Sequence, residues 1–167
     1  MDDLHTTRLT LHPFTPEEAA RVAAGEPGPT DVWAPGYPAE GERTGARIFL
    51  NGCQDGNDPH PFGNFEIRRR EDGAAIGGIG FHGGPDERGA VEVGYGLTES
   101  ARGQGYATEA VLGVLAHARS AGALVFRAET TVDNPASQGV LRKAGLTLVR
   151  TDGDALHFEL PLVDAAR

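Results

Sequence analysis

Cysteine is almost missing from this chain. Cys53 is the only one in 167 residues, so no intrachain disulfide can form and a reducing compartment is expected. An excess of positive charge is missing as well: 15 Lys and Arg stand against 24 Asp and Glu, a formal net charge of −9. Sequence-independent binding to nucleic acid needs a basic surface that displaces counterions, so that class is excluded. An acidic surface suits an amine-bearing substrate, and it equally suits plain solubility. No apolar run approaches the length of a membrane span. The opening Met1-Asp2-Asp3-Leu4-His5 has neither the basic n-region nor the apolar h-region of a secretory signal. The expectation is a cytoplasmic protein that engages no membrane. Six histidines are scattered with no pair at metal-ligand spacing, and no metal is expected.

What is present fits one α+β domain over residues 1–167. Apolar residues make up 39% and charged residues 23%, ordinary proportions for a chain long enough to bury its own core. Leu9 and Leu11 alternate with polar neighbours in a first strand over residues 8–14. Thr15-Pro16-Glu17-Glu18 then reads as a helix start with N-cap, N1 proline and capping glutamate, ending near Gly25. Residues 26–40 hold Pro27, Pro29, Pro35 and Pro38 with no period, a long loop of the kind that forms a lid or a binding wall. A short helix over about 42–50 follows.

Residues 62–70, 74–82 and 89–97 read as an antiparallel meander, with Glu71-Asp72-Gly73 as its first turn. Ala110, Val111, Val114 and Ala118 then lay an apolar stripe along a helix over 105–121, stopped by Gly122. A strand over 124–132, a helix over 135–144 and a hairpin of 146–150 with 155–162 complete the order β-α-α-βββ-α-β-α-ββ. The architecture is a mostly antiparallel sheet of about seven strands flanked by about four helices.

The most informative stretch joins the strand 91–97 to the long helix through Arg102-Gly103-Gln104-Gly105-Tyr106-Ala107-Thr108. A helix that starts on small residues leaves its first N–H groups unpaired at the positive end of its dipole, a site for phosphate oxygens. The glycines also suit a tight strand-to-helix turn and nothing more. A dinucleotide fingerprint is excluded, because Thr108 stands where a third small residue is required and the preceding strand belongs to a meander.

Arg102-x-x-Gly105-x-Ala107 matches the pyrophosphate motif Q/R-x-x-G-x-G/A. Asn134-Pro135-Ala136-Ser137 with Val140 to Leu146 lies at the right distance downstream, and Thr7-Arg8-Leu9-Thr10-Leu11 fits the opening. On these residues the chain resembles the GNAT superfamily of N-acetyltransferases, above all the branch of ribosomal-protein N-terminal acetyltransferases. The likeness is clear over 91–146, which would carry the acyl-CoA-binding core, and residues 26–62 match nothing.

The resemblance implies acetyl transfer from acetyl-CoA, as cosubstrate, to a primary amine. Backbone groups of Gly103, Gln104, Gly105, Tyr106, Ala107 and Thr108, with Arg102, would hold the pyrophosphate. Tyr95, Gly96 and Leu97 would pair with the pantetheine arm beside a V-shaped opening between two strands. Asn134 would bond that arm, although before Pro135 it is also a strong N-cap. Glu92 matches the family's acidic residue and is the candidate base, with Glu129 on the facing strand as its rival. Leu141 stands where many members carry an acidic tyrosine, and Ser137 is the replacement expected to serve the leaving sulfur, an ordered water being the other choice.

Trp33, Tyr37, Phe81 and His82 fall in the loop-rich half that should wall the acceptor slot. The acceptor is a small-molecule amine or a protein N-terminus. Oligomeric state stays open, a homodimer included. The competing reading from another class is a catalytically silent acyl-CoA-binding or sensing domain, which Leu141 favours.

Overall fold

In the computed structural model, which describes residues 1–163, the chain opens with a two-residue strand, β1 (Leu4–His5), paired to β2 (Leu9–Pro13). The alternation of β2 buries Leu9 and Leu11 completely. Thr15 caps α1 (Pro16–Ala24): its hydroxyl accepts from the Glu18 N–H, and the Glu18 carboxylate accepts from the Thr15 N–H. Two donors that a helix start leaves free are thereby satisfied. The proline-rich loop that follows is a fixed wall. Ala34 N–H donates to Ala75 O, and Ala75 N–H donates to Val32 O.

The remaining elements are α2 (Glu40–Gly52), β3 (Asn64–Arg69), β4 (Ala75–Phe81), β5 (Ala90–Leu97), α3 (Tyr106–Ser120), β6 (Val125–Thr131), α4 (Pro135–Lys143), β7 (Thr147–Asp152) and β8 (Ala155–Pro161). They form one eight-stranded sheet in the order β1-β2-β3-β4-β5-β6-β8-β7. The strand beyond the expected seven is β1, too short to show a period. Helix α2 runs two residues past each expected end; at its start the Glu42 carboxylate accepts from the Ala39 N–H and caps the first turn.

Helices α1 and α2 pack on each other, with α2 over β3, β4 and β5, while α3 and α4 cover the opposite face. Phe65, Phe81, Phe126 and Phe158 are buried to within 1% in the layer between, each worth about 1.5–3 kcal/mol. No helix among the described residues is long and apolar enough to cross a membrane.

One irregularity sets up everything that follows. Every strand pair is antiparallel except β5 with β6, and that pair holds only from Ala90↔Val125 to Val93↔Ala128. Both strands run on, β5 to Leu97 and β6 to Thr131. Their C-terminal ends therefore separate, and the sheet opens in a V at its middle.

Candidate active site

Past Leu97 the chain makes a 3-10 turn, Glu99–Ala101, and enters α3 through Gly103 and Gly105. These glycines adopt φ of +75° and +81°, the left-handed region that a Cβ disfavours. Gly105 is the N-cap and supplies no side chain, so α3 has no side-chain cap. The first intrahelical bond of this turn is Glu109 N–H to Gly105 O. The N–H groups of Tyr106, Ala107 and Thr108 thus lack a protein acceptor among the described residues, at the positive end of a 15-residue helix. A phosphate fits this end.

Arg102 is exposed and donates to Leu97 O at 3.2 Å, and Gln104 Nε2 donates to Ser100 O. Both side chains fold back onto the loop. The brace from outside is Arg8, whose guanidinium donates to Gln104 O, lies 4.3 Å from the Tyr106 ring centre and pairs with Glu109 at 2.8 Å. Burial would raise the Glu109 carboxyl, but hydrogen bonds from Thr6 and Arg8 outweigh it and hold it below the ordinary range. The sequence marked Arg8 only as part of an opening motif, and its partner Glu109 not at all.

The β6-facing edge of Gly94 to Leu97 carries no strand, so its backbone groups can pair with an extended ligand. On the α3/α4 side of this edge the Tyr95 hydroxyl lies 2.8 Å from Ser137 Oγ. Burial raises the Tyr95 phenol above its ordinary value, and the bond with Ser137 opposes the rise. Asn134 Oδ1 accepts from the Ser137 N–H and caps α4; its amide nitrogen bonds no group among the described residues. Leu141 is fully buried and serves the core, so a tyrosine there would overpack it. A phenol does stand beside Ser137, but β5 provides it.

On the α2 side, β5 presents Glu92, Gly94 and Gly96. Glu92 Oε2 accepts from His82 Nδ1 at 3.1 Å, and Glu92 Oε1 lies 3.9 Å from Arg127 Nε. Glu129 lies on the same face of β6, just past the last paired residue, with His157 at 3.7 Å. Each candidate base thus has a histidine beside it. The two histidines face different cavities: His82 lines one of about 170 Å³ beneath α2, with Gly94, Gly96, Tyr37, Glu42 and Asn64, and His157 lines one of about 500 Å³ together with Glu92 and Arg127.

Of the four expected acceptor residues, the cavity gathers Tyr37 and His82. Trp33 packs edge-on against Tyr37 at 5.4 Å, one layer back, and Phe81 points to the opposite face against Phe62. Glu42 and Asn64 escaped the reading of the sequence. The available signal was glycine at period two on adjacent strands, Gly78 with Gly80 and Gly94 with Gly96, which clears one face for other side chains. Among the described residues no group of three or more His, Cys, Asp or Glu is placed to hold a metal ion.

The bare helix end, the splayed strand pair and the cavity thus lie along the C-terminal half of β5 and the turn that follows it. The family model described as acetyltransferase (GNAT) domain matches residues 8–147. This chain belongs to the GNAT acetyltransferase family. An uncharacterized N-acetyltransferase of Bacillus subtilis, YjdG, is 31% identical over 103 residues, a stretch covering 61% of each chain. The chain thus spans about three fifths of that relative's length. Among solved structures, the ribosomal-protein-S5-alanine acetyltransferase of Vibrio fischeri superposes with a TM-score of 0.69 at 14% identity, covering 98% of both chains. RimL, a ribosomal L7/L12 alpha-N-protein acetyltransferase in complex with coenzyme A, gives 0.67 at 19% identity, covering 96% of this chain and 98% of that one. At such identities these two likenesses concern the fold.

Proposed function

We propose that this protein transfers an acetyl group from acetyl-CoA to a primary amine, on a small molecule or a protein N-terminus, in the reducing cytoplasm. The observation that carries the reading is the V between β5 and β6, with the bare N-terminus of α3 at one end and the α2 cavity on one side. The fold relative RimL, described in complex with coenzyme A, supports placing the cosubstrate there. Acetyl-CoA would supply the acetyl group as a thioester: a C–N bond forms, the C–S bond breaks, and the thiol departs.

The chain's own groups have three tasks. Backbone N–H groups of residues 103–108 hold the pyrophosphate, and the free edge of Tyr95 to Leu97 aligns the pantetheine arm. Glu92 takes the amine's proton, directly or along His82, whose Nε2 lies over Gly94 in the cavity. On the far side of β5, Ser137 donates to the departing sulfur while Tyr95 fixes its hydroxyl. A thiol with an ordinary pKa near 8.5 leaves without strong acid help, so this last contribution is modest.

The buried Leu141 favours the competing reading of a silent acyl-CoA-binding domain. Thiol release from acetyl-CoA, followed against a panel of amines with mass spectrometry of the product, separates the two. We expect equal release of thiol and acetylated amine. Tight acetyl-CoA binding with no amine-dependent release would establish the silent domain instead.

A further inference from the structure

The cavity under α2 has a floor of glycine and walls that carry unused polar groups. Gly78 pairs with Gly96 and Gly80 with Gly94 across β4 and β5, and on this face three polar side chains fill the space their Cβ atoms would take. Glu42 Oε1 lies 3.0 Å from the Cβ position of Gly96, Asn64 Nδ2 abuts that of Gly80, and His82 Nε2 is 2.7 Å from that of Gly94.

Two of the three are buried without full partners. Glu42 and Asn64 are each 8% exposed. Glu42 Oε2 accepts from Ala39 N–H at 2.8 Å, while Oε1 has no donor among the described residues. The Asn64 side chain makes no hydrogen bond among them, and both residues line the cavity. The nearby Glu66 does not share this condition, since Tyr37 and Arg68 satisfy its two oxygens. Neither Glu42 nor Asn64 is among the fully enclosed unpaired groups of the described residues, which are His60 Nε2 and Thr98 Oγ1, so both open to the cavity and whatever occupies it must bond them.

The chemistry of that occupant follows from what is idle. A carboxylate oxygen only accepts, and an amide can accept through Oδ1; a protonated amine offers three donors and no acceptor. An anion would be repelled by Glu42, and an apolar group would leave its oxygen unpaired. The spacing adds a second constraint. Glu42 stands over Gly96 and His82 over Gly94, two residues apart on a strand rising about 3.3 Å per residue, so the two ends lie about 7 Å apart. That is close to the separation of the nitrogens in an extended four-carbon diamine. A volume of about 170 Å³ equals roughly five or six waters at about 30 Å³ each, which suits a molecule of that size.

We propose that the acceptor is a compact diamine, its reacting nitrogen between His82 and Asn64, which stand over the paired Gly94 and Gly80, and its protonated second nitrogen held by Glu42 Oε1 over Gly96. This rests on the amine-acetylation reading above, and it names the substrate class for the same site.

The test uses 1,4-diaminobutane and 1-aminobutane, which differ only in the second nitrogen. Thiol release gives kcat/KM for each, and calorimetry on the intact protein gives diamine affinity independently of turnover. We expect the diamine to be preferred, and Glu42→Gln, which can still cap Ala39, to reduce that preference about 10- to 100-fold, mainly through KM, the scale of a hydrogen bond to a charged group. Glu42→Asp, which draws the carboxylate back by one methylene, should reduce it less, and serves if Glu42→Gln folds poorly. Equal kcat/KM for the two amines, or a neutral tripeptide preferred over the diamine, would overturn the diamine proposal and leave acetyl transfer standing. No release with any amine, with diamine binding still weakened by Glu42→Gln, would overturn acetyl transfer and leave the pocket assignment standing.

Discussion

The two glycine-rich regions of the site use the residue in opposite ways. Gly103 and Gly105 sit at positive φ, so a backbone turn is possible there that other residues resist, and the ligand is offered main-chain N–H groups. Gly80, Gly94 and Gly96 are extended strand residues, and their value is the missing Cβ, whose place Asn64, His82 and Glu42 take. The proposed cofactor end is thus built from backbone, which would suit a phosphate of any parent molecule. The proposed acceptor end is built from side chains, so two or three substitutions on an unchanged sheet would change what it recognises.

The largest expected effect lies at the acceptor end. Glu92→Gln should lower kcat by about 10²–10⁴-fold, the range of a general base, with little change in acetyl-CoA affinity measured by calorimetry. The deficit should shrink as pH rises and free amine accumulates, since a primary amine of lysine type has a pKa about 10.4. Glu129→Gln is the control. If it abolishes turnover while Glu92→Gln does not, the base belongs to the splayed end of β6 with His157, and the roles are exchanged.

A paired substitution tests the contrast itself. Gly105→Val forces a branched side chain to φ +81°, a strain of about 1–3 kcal/mol before any clash with the ligand. Acetyl-CoA affinity should fall by about 10²-fold or more in a protein that still folds. Gly94→Ala introduces a Cβ within 2.7 Å of His82 Nε2, and the ring must move aside. Misplacement by about 1 Å can cost up to about 10²-fold, so amine kcat/KM should drop about tenfold with acetyl-CoA affinity intact. Should Gly94→Ala weaken the cofactor, or Gly105→Val spare it, the division between backbone end and side-chain end fails.

This division also explains what could be read from residues alone. A backbone site needs glycine at fixed spacing from a helix start, so Gly103, Gly105 and the amphipathic run after them were visible in one stretch of chain. The N-cap Thr15 with Glu18 and the stop at Gly122 were legible for the same reason: their physics spans four residues. A side-chain site is assembled from distant segments. Glu42 comes from α2 and Asn64 from the start of β3, and nothing local marks either one. Phe81 and His82, adjacent in sequence, point to opposite faces because side chains alternate along a strand, and only the sheet decides which face holds the cavity. The brace from Arg8 to Glu109 joins residues 101 apart, beyond any periodicity.

That brace carries the smallest prediction and bears on how purely backbone the cofactor end is. Glu109 accepts from Thr6 Oγ1 at 2.6 Å and from Arg8 N–H at 2.6 Å, fixing the first strands to the helix whose N-terminus is proposed to hold the phosphates. Its folded-state pKa lies below the ordinary value, about 4.3 for a free glutamate. A lowered pKa means the folded form favours the charged group. Its stabilisation is complete above about pH 4.3 and is lost as pH falls through the lowered folded value. The side chain is 16% exposed, so water screens it only partly, and about 1 kcal/mol is a fair scale, or roughly 2–4 °C in Tm for a chain of this size. Glu109→Gln should therefore melt a few degrees below the parent at pH 7, and the gap should narrow as the pH falls below about 4.3. Acetyl-CoA affinity, measured alongside, should fall only slightly in Glu109→Gln at pH 7, because the N–H donors of residues 106–108 do not depend on the carboxylate. A gap that persists unchanged to pH 3 would mean that shape at position 109, and not its charge, ties β2 to α3. A large loss of affinity at pH 7 would mean that this backbone site stands on a side chain after all.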